Sequence, residues 1–213
     1  MAEAWGLSDR QRHWDHVYES ESDRQRSWHR AHLDTSLRLI LHATEDPSFP
    51  VIDVGGGSST LVDDLLDRGH SSITVLDISA AALGAARERL GPARADRVRW
   101  ICADVTTAPL QKDAYALWHD RGLFHFLTQA DERTRYVGQI QRAVRPGGHI
   151  VLATFALGGS PTCSGLPVMR YSCESLCQAL GSGFTLLEVQ DEPHVTPTSA
   201  VEPFIYCHLV KDR

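Results

Sequence analysis

From residue 51 onward, short apolar runs alternate with segments whose apolar positions recur at helical spacing. "VIDV" (51–54), "ITVLDIS" (73–79), "VRWICADV" (98–105), "YALWHD" (115–120) and "HIVLATFA" (149–156) read as strands. Between them, "SSTLVDDLLDRG" reads as a helix capped by Ser58 or Ser59 and stopped at Gly69. "AAALGAARERLG" (80–91) is an alanine-rich helix closed by Gly91-Pro92, and "DERTRYVGQIQRAV" (131–144) is amphipathic. "RPGG" (145–148) predicts a tight turn. "SCESLCQALG" (172–181) predicts a last helix, followed by two strands, "FTLLEVQDE" (184–192) and "FIYCHLV" (204–210). Upstream, polar residues 9–30 with spaced Trp14, Tyr18 and Trp28 predict a helix with a break. Leu33, Leu37, Leu39, Ile40 and Leu41 predict a second helix over 32–43, and "EDPSFP" (45–50) a loop.

Strand–helix alternation from 51 to about 180 predicts an α/β fold. The expected architecture is a doubly wound, mostly parallel seven-stranded sheet with helices on both faces and an N-terminal helical cap. The last two strands have no helix between them, so they pair antiparallel at the far edge. At 213 residues the chain fits one domain. It divides into a cap (1–48), a core (49–157) and a closing loop, helix and strand pair (158–213).

Composition is that of a globular protein, 42% hydrophobic and 23% charged. A net charge of −6 without a basic cluster free of acids argues against a nucleic-acid partner. No apolar run reaches membrane-span length, and the N-terminus lacks the apolar core of a signal peptide. The expectation is a cytoplasmic monomer or homodimer. The five cysteines form no CxxC pair and no disulfide framework. Cys163, Cys173 and Cys177 could gather a soft metalloid, but a small buried hydrophobe is the simpler role and no metal site is expected.

The run Gly55-Gly56-Gly57 at the end of the first strand lies where ligands bind in such sheets. A dinucleotide fingerprint requires a third glycine where Thr60 stands. "Asp53-Val-Gly55-Gly-Gly57-Ser-Ser59" instead resembles the pattern of class I S-adenosylmethionine-dependent methyltransferases, an acid followed by alternate glycines, with Ser59 replacing the last glycine. The resemblance covers about residues 50–157. It implies S-adenosylmethionine as the cofactor, with Asp53 near its cationic part and Gly55 and Gly57 passing close to it. On that resemblance Asp77, closing the second strand, is expected to accept the ribose hydroxyls, Asp104 to take the adenine amino group, and Ile78 and Val105 to flank the base. "Arg145-Pro146-Gly147-Gly148" is a further family landmark, whereas Ala116 stands where the family carries an acid.

After the fourth strand comes "His119-Asp120-Arg121-Gly122-Leu123-Phe124-His125-Phe126". Asp120 or His119 is expected to accept a proton, with Arg121 holding an anionic acceptor or orienting Asp120. "Asp120-Arg121-Gly122", "Arg133…Tyr136", "Gly158-Gly159-Ser160-Pro161" and the tryptophans of the cap resemble the thiopurine and thiol methyltransferase branch. Trp28 joins the cofactor side on that resemblance. The punctuated loop 161–171 is expected to fold over the acceptor, with His125, Arg170, Tyr171 and His194 in contact with it. The expected acceptor is a small molecule, a thiol first, since a thiol needs little base catalysis. The alternatives are protein-lysine methylation, a nicotinamide-dependent oxidoreductase, and a module that binds cofactor without turnover.

Overall fold

The computed structural model of the protein describes residues 7–22 and 25–213. The first six residues of the expected cap, and residues 23 and 24 of its expected break, lie outside the described residues. Two helices precede the sheet, α1 (Leu7–Ser20) and α2 (Asp34–Ala43). Then come β1 (Val51–Val54), α3 (Leu61–Asp67), β2 (Ile73–Asp77), α4 (Ala80–Leu90), the short α5 (Pro92–Ala95) and β3 (Val98–Cys102). The chain continues through β4 (Tyr115–Arg121), α6 (Ala130–Ala143), β5 (Val144–Phe155), the small hairpin β6 (Thr162–Cys163) and β7 (Leu166–Pro167), α7 (Cys173–Leu180), β8 (Phe184–Val195) and β9 (Val201–Lys211).

Seven strands form one sheet in the order β3-β2-β1-β4-β5-β9-β8. The first five are parallel, as helical crossovers demand. β9 runs antiparallel to β5 and to β8, because a direct hairpin and not a helix joins the last pair. The order reverses beside β1, so the carboxyl ends of β1, β2 and β4 open on one crevice.

The pleat decides which side each strand residue serves. Val51 and Leu117 pack into the cluster beneath α2 and α3; Ile52, Val54 and Trp118 pack into the cluster beneath α6 and α7. Asp53, His119 and Arg121 share the parity of the first group, and Asp120 that of the second. This alternation separates side chains that are adjacent in sequence.

Several local features differ from the sequence pattern. Arg145-Pro146-Gly147-Gly148 is not a free turn but an irregularity inside β5: Tyr115 pairs with Val144 and Leu117 with His149. Gly147 supplies the positive φ of 73° that this bend uses. In the 161–171 loop, Ser164 and Gly165 have φ of 50° and 74°. Two consecutive left-handed residues make a tight two-residue hairpin, which serine at the first position disguised. α3 starts at Leu61, and the Ser59 hydroxyl accepts from the Leu61 N–H at 3.1 Å. β3 ends at Cys102, leaving Asp104 in the loop beyond it. β8 and β9 are longer than expected because each supplies the other's hydrogen-bond partners almost to the connecting turn.

Candidate active site

A cavity of about 390 Å³ lies at the carboxyl ends of the parallel strands. Arg10, Trp14 and Tyr18, four residues apart on α1, form its roof. Gly55, Asp77, Ile78, Asp104 and Val105 form one wall. Arg121, His125, Phe155 and Phe204 form the other, and Cys163, Leu166 and Pro167 of the β6–β7 hairpin close it. Trp14 stands edge-on to Trp28 and to Phe126, at 5.9 and 4.9 Å between ring centres. Asp15 latches this roof to α4 by accepting from the Ser79 hydroxyl at 2.7 Å.

On the first wall, Asp77 is 6% exposed and accepts from the Ser79 N–H at 2.8 Å. Ser79, not Asp77, caps α4, through the Ala82 N–H at 3.1 Å. Burial pushes the Asp77 carboxyl up to about 6, and the nearby Asp53 adds to the rise, while the Ser79 and Gly57 N–H groups hold it down. Asp104 folds one oxygen back on Thr106, at 2.7 Å to the N–H and 2.6 Å to the hydroxyl. Its other oxygen lies 4.0 Å from Arg10, whose guanidinium pairs with Glu132.

Gly55 and Gly57 have φ of 68° and 51°. A Cβ on Gly55 would meet Leu123 at 2.7 Å, and one on Gly57 would meet the Tyr18 hydroxyl at 2.2 Å. A side chain at Gly55 is disfavoured by space and conformation, and one at Gly57 by its left-handed conformation, with the tip of Tyr18 having to move. Gly55 lines the cavity; Gly56 lines a smaller one of about 50 Å³ beside it, together with Asp53, Ser58 and His119. Asp53 faces this smaller space and His119 rather than the main cavity.

The cluster expected after β4 is split by the pleat. Asp120 is fully buried and does not line the cavity. It accepts from the Leu123 N–H at 2.9 Å, the Phe124 N–H at 3.1 Å and the Tyr136 hydroxyl at 2.6 Å. Burial pushes it up to about 7 against these donors. Its place is that of a strut under the turn carrying Phe124–Phe126. His119 lies on the opposite face, its ring between Asp53 at 2.7 Å and the Ser36 hydroxyl at 2.9 Å. Both ring nitrogens are engaged, so neither aims at the main cavity.

Arg121 does line the main cavity, with its side chain 4% exposed. Its Nε donates to the Tyr206 hydroxyl at 3.0 Å and its Nη1 to the Trp28 carbonyl at 3.1 Å. The guanidinium carbon sits 4.4 Å from the centre of the Phe204 ring. His125 also lines the cavity; burial, aided by the Arg121 charge, holds it down at about 3, so it is neutral.

Arg170, Tyr171 and His194 do not line the cavity. Arg170 donates to the Gly159 carbonyl at 3.1 Å and braces the loop. Tyr171 packs on Phe124 with ring centres 5.5 Å apart, and His194 Nε2 donates to the Ser27 carbonyl at 2.6 Å. Cys163 faces the cavity, whereas Cys173 neighbours Cys177 and Cys207 beneath α7. The three expected cysteines are thus not one group. Among the described residues, no group of three or more histidine, cysteine or acidic side chains could hold a metal ion. Among them no helix is long and apolar enough to cross a membrane.

The sequence pattern did not point to Arg10, Phe155 and Phe204 as cavity-lining residues. Arg10 was open to detection, since it lies one helical step before Trp14 and Tyr18; the two phenylalanines meet only through the β5–β9 pairing.

Residues 51–148 match the family model described as a methyltransferase domain. The chain is 27% identical over 168 residues to the eEF1A lysine and N-terminal methyltransferase of Bos taurus, covering 78% of this chain and 21% of that protein. The chain therefore spans about a fifth of that relative's length. It is 27% identical over 133 residues to the ubiquinone/menaquinone biosynthesis C-methyltransferase UbiE of Methylobacterium nodulans, covering 60% of this chain and 50% of that one. A structure described as the conversion of a disulfide bond into a thioacetal group during echinomycin biosynthesis superposes with TM-score 0.77 at 20% identity, covering 95% and 91% of the two chains. The 1,6-didemethyltoxoflavin-N1-methyltransferase of Burkholderia thailandensis superposes with TM-score 0.67 at 19% identity, covering 97% and 87%.

The fold is Rossmann-like, as in the methyltransferase that superposes on it, and residues 51–148, just under half of the chain, are similar to a methyltransferase domain. S-adenosylmethionine is the cofactor that such a domain implies. The residues present suit that group: Asp77 and Asp104 bring carboxylate acceptors to the cavity, Ile78 and Val105 offer apolar flanks, and Gly55 lines it without a Cβ, while Gly57 lies outside its lining.

Proposed function

We propose that the protein transfers the methyl group of S-adenosylmethionine to a small-molecule acceptor with an acidic nucleophile, a thiol first. The observation that carries this reading is the cavity of about 390 Å³ that joins the carboxylate wall to an aromatic wall under the α1 roof. Asp77, Ile78, Asp104, Val105, Gly55, Gly57 and Trp28 hold the cofactor, and Asp53 supports the glycine loop from behind. When bound, the cofactor supplies an electrophilic methyl on a sulfonium sulfur. The aromatic wall orients the acceptor for in-line attack and keeps water out. A thiol with a pKa of about 8.5 is a few per cent ionised at neutrality and its thiolate is strongly nucleophilic, so little base catalysis is required. That fits a wall where Asp120 and His119 are both committed elsewhere.

A second reading, methylation of a protein lysine, is favoured by the relatedness to the eEF1A lysine and N-terminal methyltransferase. The aromatic lining of the cavity and the Arg121 charge beside it speak for the small acid. The test is transfer from methyl-labelled cofactor to thiols, carboxylates, amines and cell-extract proteins. Label on low-molecular-mass thiols supports the first reading; label confined to protein lysines overturns it.

A further inference from the structure

Gly56 is the middle residue of the glycine run, and conformation does not explain it: unlike Gly55 and Gly57, it has no positive φ. Space does. A Cβ there would meet Asp53 Oδ2 at 2.6 Å and the Val75 side chain at 2.8 Å. The Asp53 carboxylate therefore lies where a side chain at position 56 would begin. The Gly55 and Gly56 N–H groups donate to the Leu76 carbonyl at 2.7 and 3.3 Å, which holds the loop down on this floor. Gly55, next along the loop, lines the main cavity.

Asp53 is 3% exposed, and its other oxygen, Oδ1, lies 2.7 Å from His119 Nδ1. A carboxylate has no proton to give, so Nδ1 carries the proton and donates, whatever the charge of the ring. The far nitrogen, Nε2, meets the Ser36 hydroxyl of α2 at 2.9 Å, and both side chains are buried. The imidazole is thus held at both ends, opposite Asp53 in the pairing of β1 with β4. One fixed ring sets one carboxylate orientation, and that carboxylate sets the floor of the loop. Without the donor, a buried carboxylate must find another partner, and turning toward one takes it out from under Gly56.

We propose that His119 is a positioning residue for the cofactor: by donating Nδ1–H to Asp53 it keeps that carboxylate under Gly56, and so seats the loop whose Gly55 faces the cofactor. His119 does not itself line the main cavity. The inference rests on the methyltransferase reading above and adds to it a residue that acts through another.

The test reads S-adenosylhomocysteine affinity by calorimetry, with no acceptor present. Two amide substitutions separate the ring nitrogens. In His119→Asn the amide nitrogen stands as many bonds from the backbone as Nδ1 and can still donate to Asp53. In His119→Gln it stands as many bonds away as Nε2, and reaches Ser36 but not Asp53. His119→Gln should bind S-adenosylhomocysteine roughly 10- to 100-fold more weakly than wild type, the scale of losing one hydrogen bond to a charged group. His119→Asn should stay within about threefold of wild type. Asp53→Ala/His119→Gln should bind no more weakly than Asp53→Ala, because the bond is already gone. Equal losses in the Asn and Gln variants, or additive losses in the double variant, reduce His119 to buried packing and overturn the proposal. If the variants do not fold, histidine nitrogen NMR of the wild type decides. A slowly exchanging Nδ1–H resonance should move on saturation with S-adenosylhomocysteine, and no such movement overturns the proposal. Each of these failures leaves the methyltransferase reading standing. Absence of S-adenosylhomocysteine binding by the wild type removes that reading, and this inference with it.

Discussion

Asp77 and Asp120 occupy equivalent places, each at the carboxyl end of a parallel strand, each buried and each raised by desolvation. Their surroundings give them opposite uses. Asp120 spends its oxygens on two backbone N–H groups and the Tyr136 hydroxyl, and does not line the cavity. Asp77 accepts from backbone on one side and lines the cavity on the other. A carboxylate at a strand end is therefore informative only together with the side of the sheet it serves. A raised pKa reports burial in both cases and function in neither by itself.

The largest expected effect comes from removing the strut. Asp120→Ala leaves three buried donors without an acceptor and should cost about 3 kcal/mol or more of unfolding free energy, at roughly 1 kcal/mol or more each. Denaturant titration checks this, and a loss under 1 kcal/mol would show that the turn after β4 does not depend on Asp120. Asp77→Ala should instead weaken cofactor affinity by about 1–3 kcal/mol. An unchanged dissociation constant would remove Asp77 from the cofactor's contacts.

Acidity separates the two carboxylates further. Asp77 holds its proton up to about pH 6, so binding that requires the carboxylate should weaken about tenfold per pH unit below that point. Cofactor calorimetry between pH 5 and 8 should show the slope in the wild type and lose it in Asp77→Asn. Asp120 carries no such link to cofactor. Its folded pKa, about 7, lies above the ordinary 3.8, so the native state holds its proton more tightly. That contribution to stability is complete below about pH 4 and is lost as pH rises through about 7. Relative to wild type, Asp120→Asn should gain stability between those limits, and a flat difference would contradict the assignment.

Gly57→Ala tests the loop that faces Asp77. Its Cβ would meet the Tyr18 hydroxyl at 2.2 Å with a φ of 51°. A cost of about 1–2 kcal/mol in stability is expected from the left-handed conformation alone, with displacement of the α1 roof. The smallest effect belongs to Arg170→Ala, which removes one loop brace outside the cavity. It should cost about 0.5–1 kcal/mol of stability and leave acceptor KM unchanged; a several-fold rise in KM would return Arg170 to the acceptor site.

The parallel core, the antiparallel last strand and the place of the glycine loop were legible in the chain because each follows from local period and connection; the strand order was not among them. Alternating strand and helix permits few sheets, and a run of glycines at a strand end has few uses. The division of His119, Asp120 and Arg121 was legible too, since neighbours on a strand point to opposite faces. Reading them as one cluster ignored the pleat.

Which face becomes a cavity was not written in any segment. Arg121 reaches the acceptor wall because Tyr206 and Phe204, more than 80 residues later, arrive on β9 beside β5. Arg170 and Tyr171 miss it because the Ser164-Gly165 hairpin brings Cys163, Leu166 and Pro167 over the opening first. The sequence by itself determined the sheet and the position of the crevice, through periodicity and connection length. Tertiary structure decided which side chains line that crevice, because only packing between elements distant in sequence brings them together.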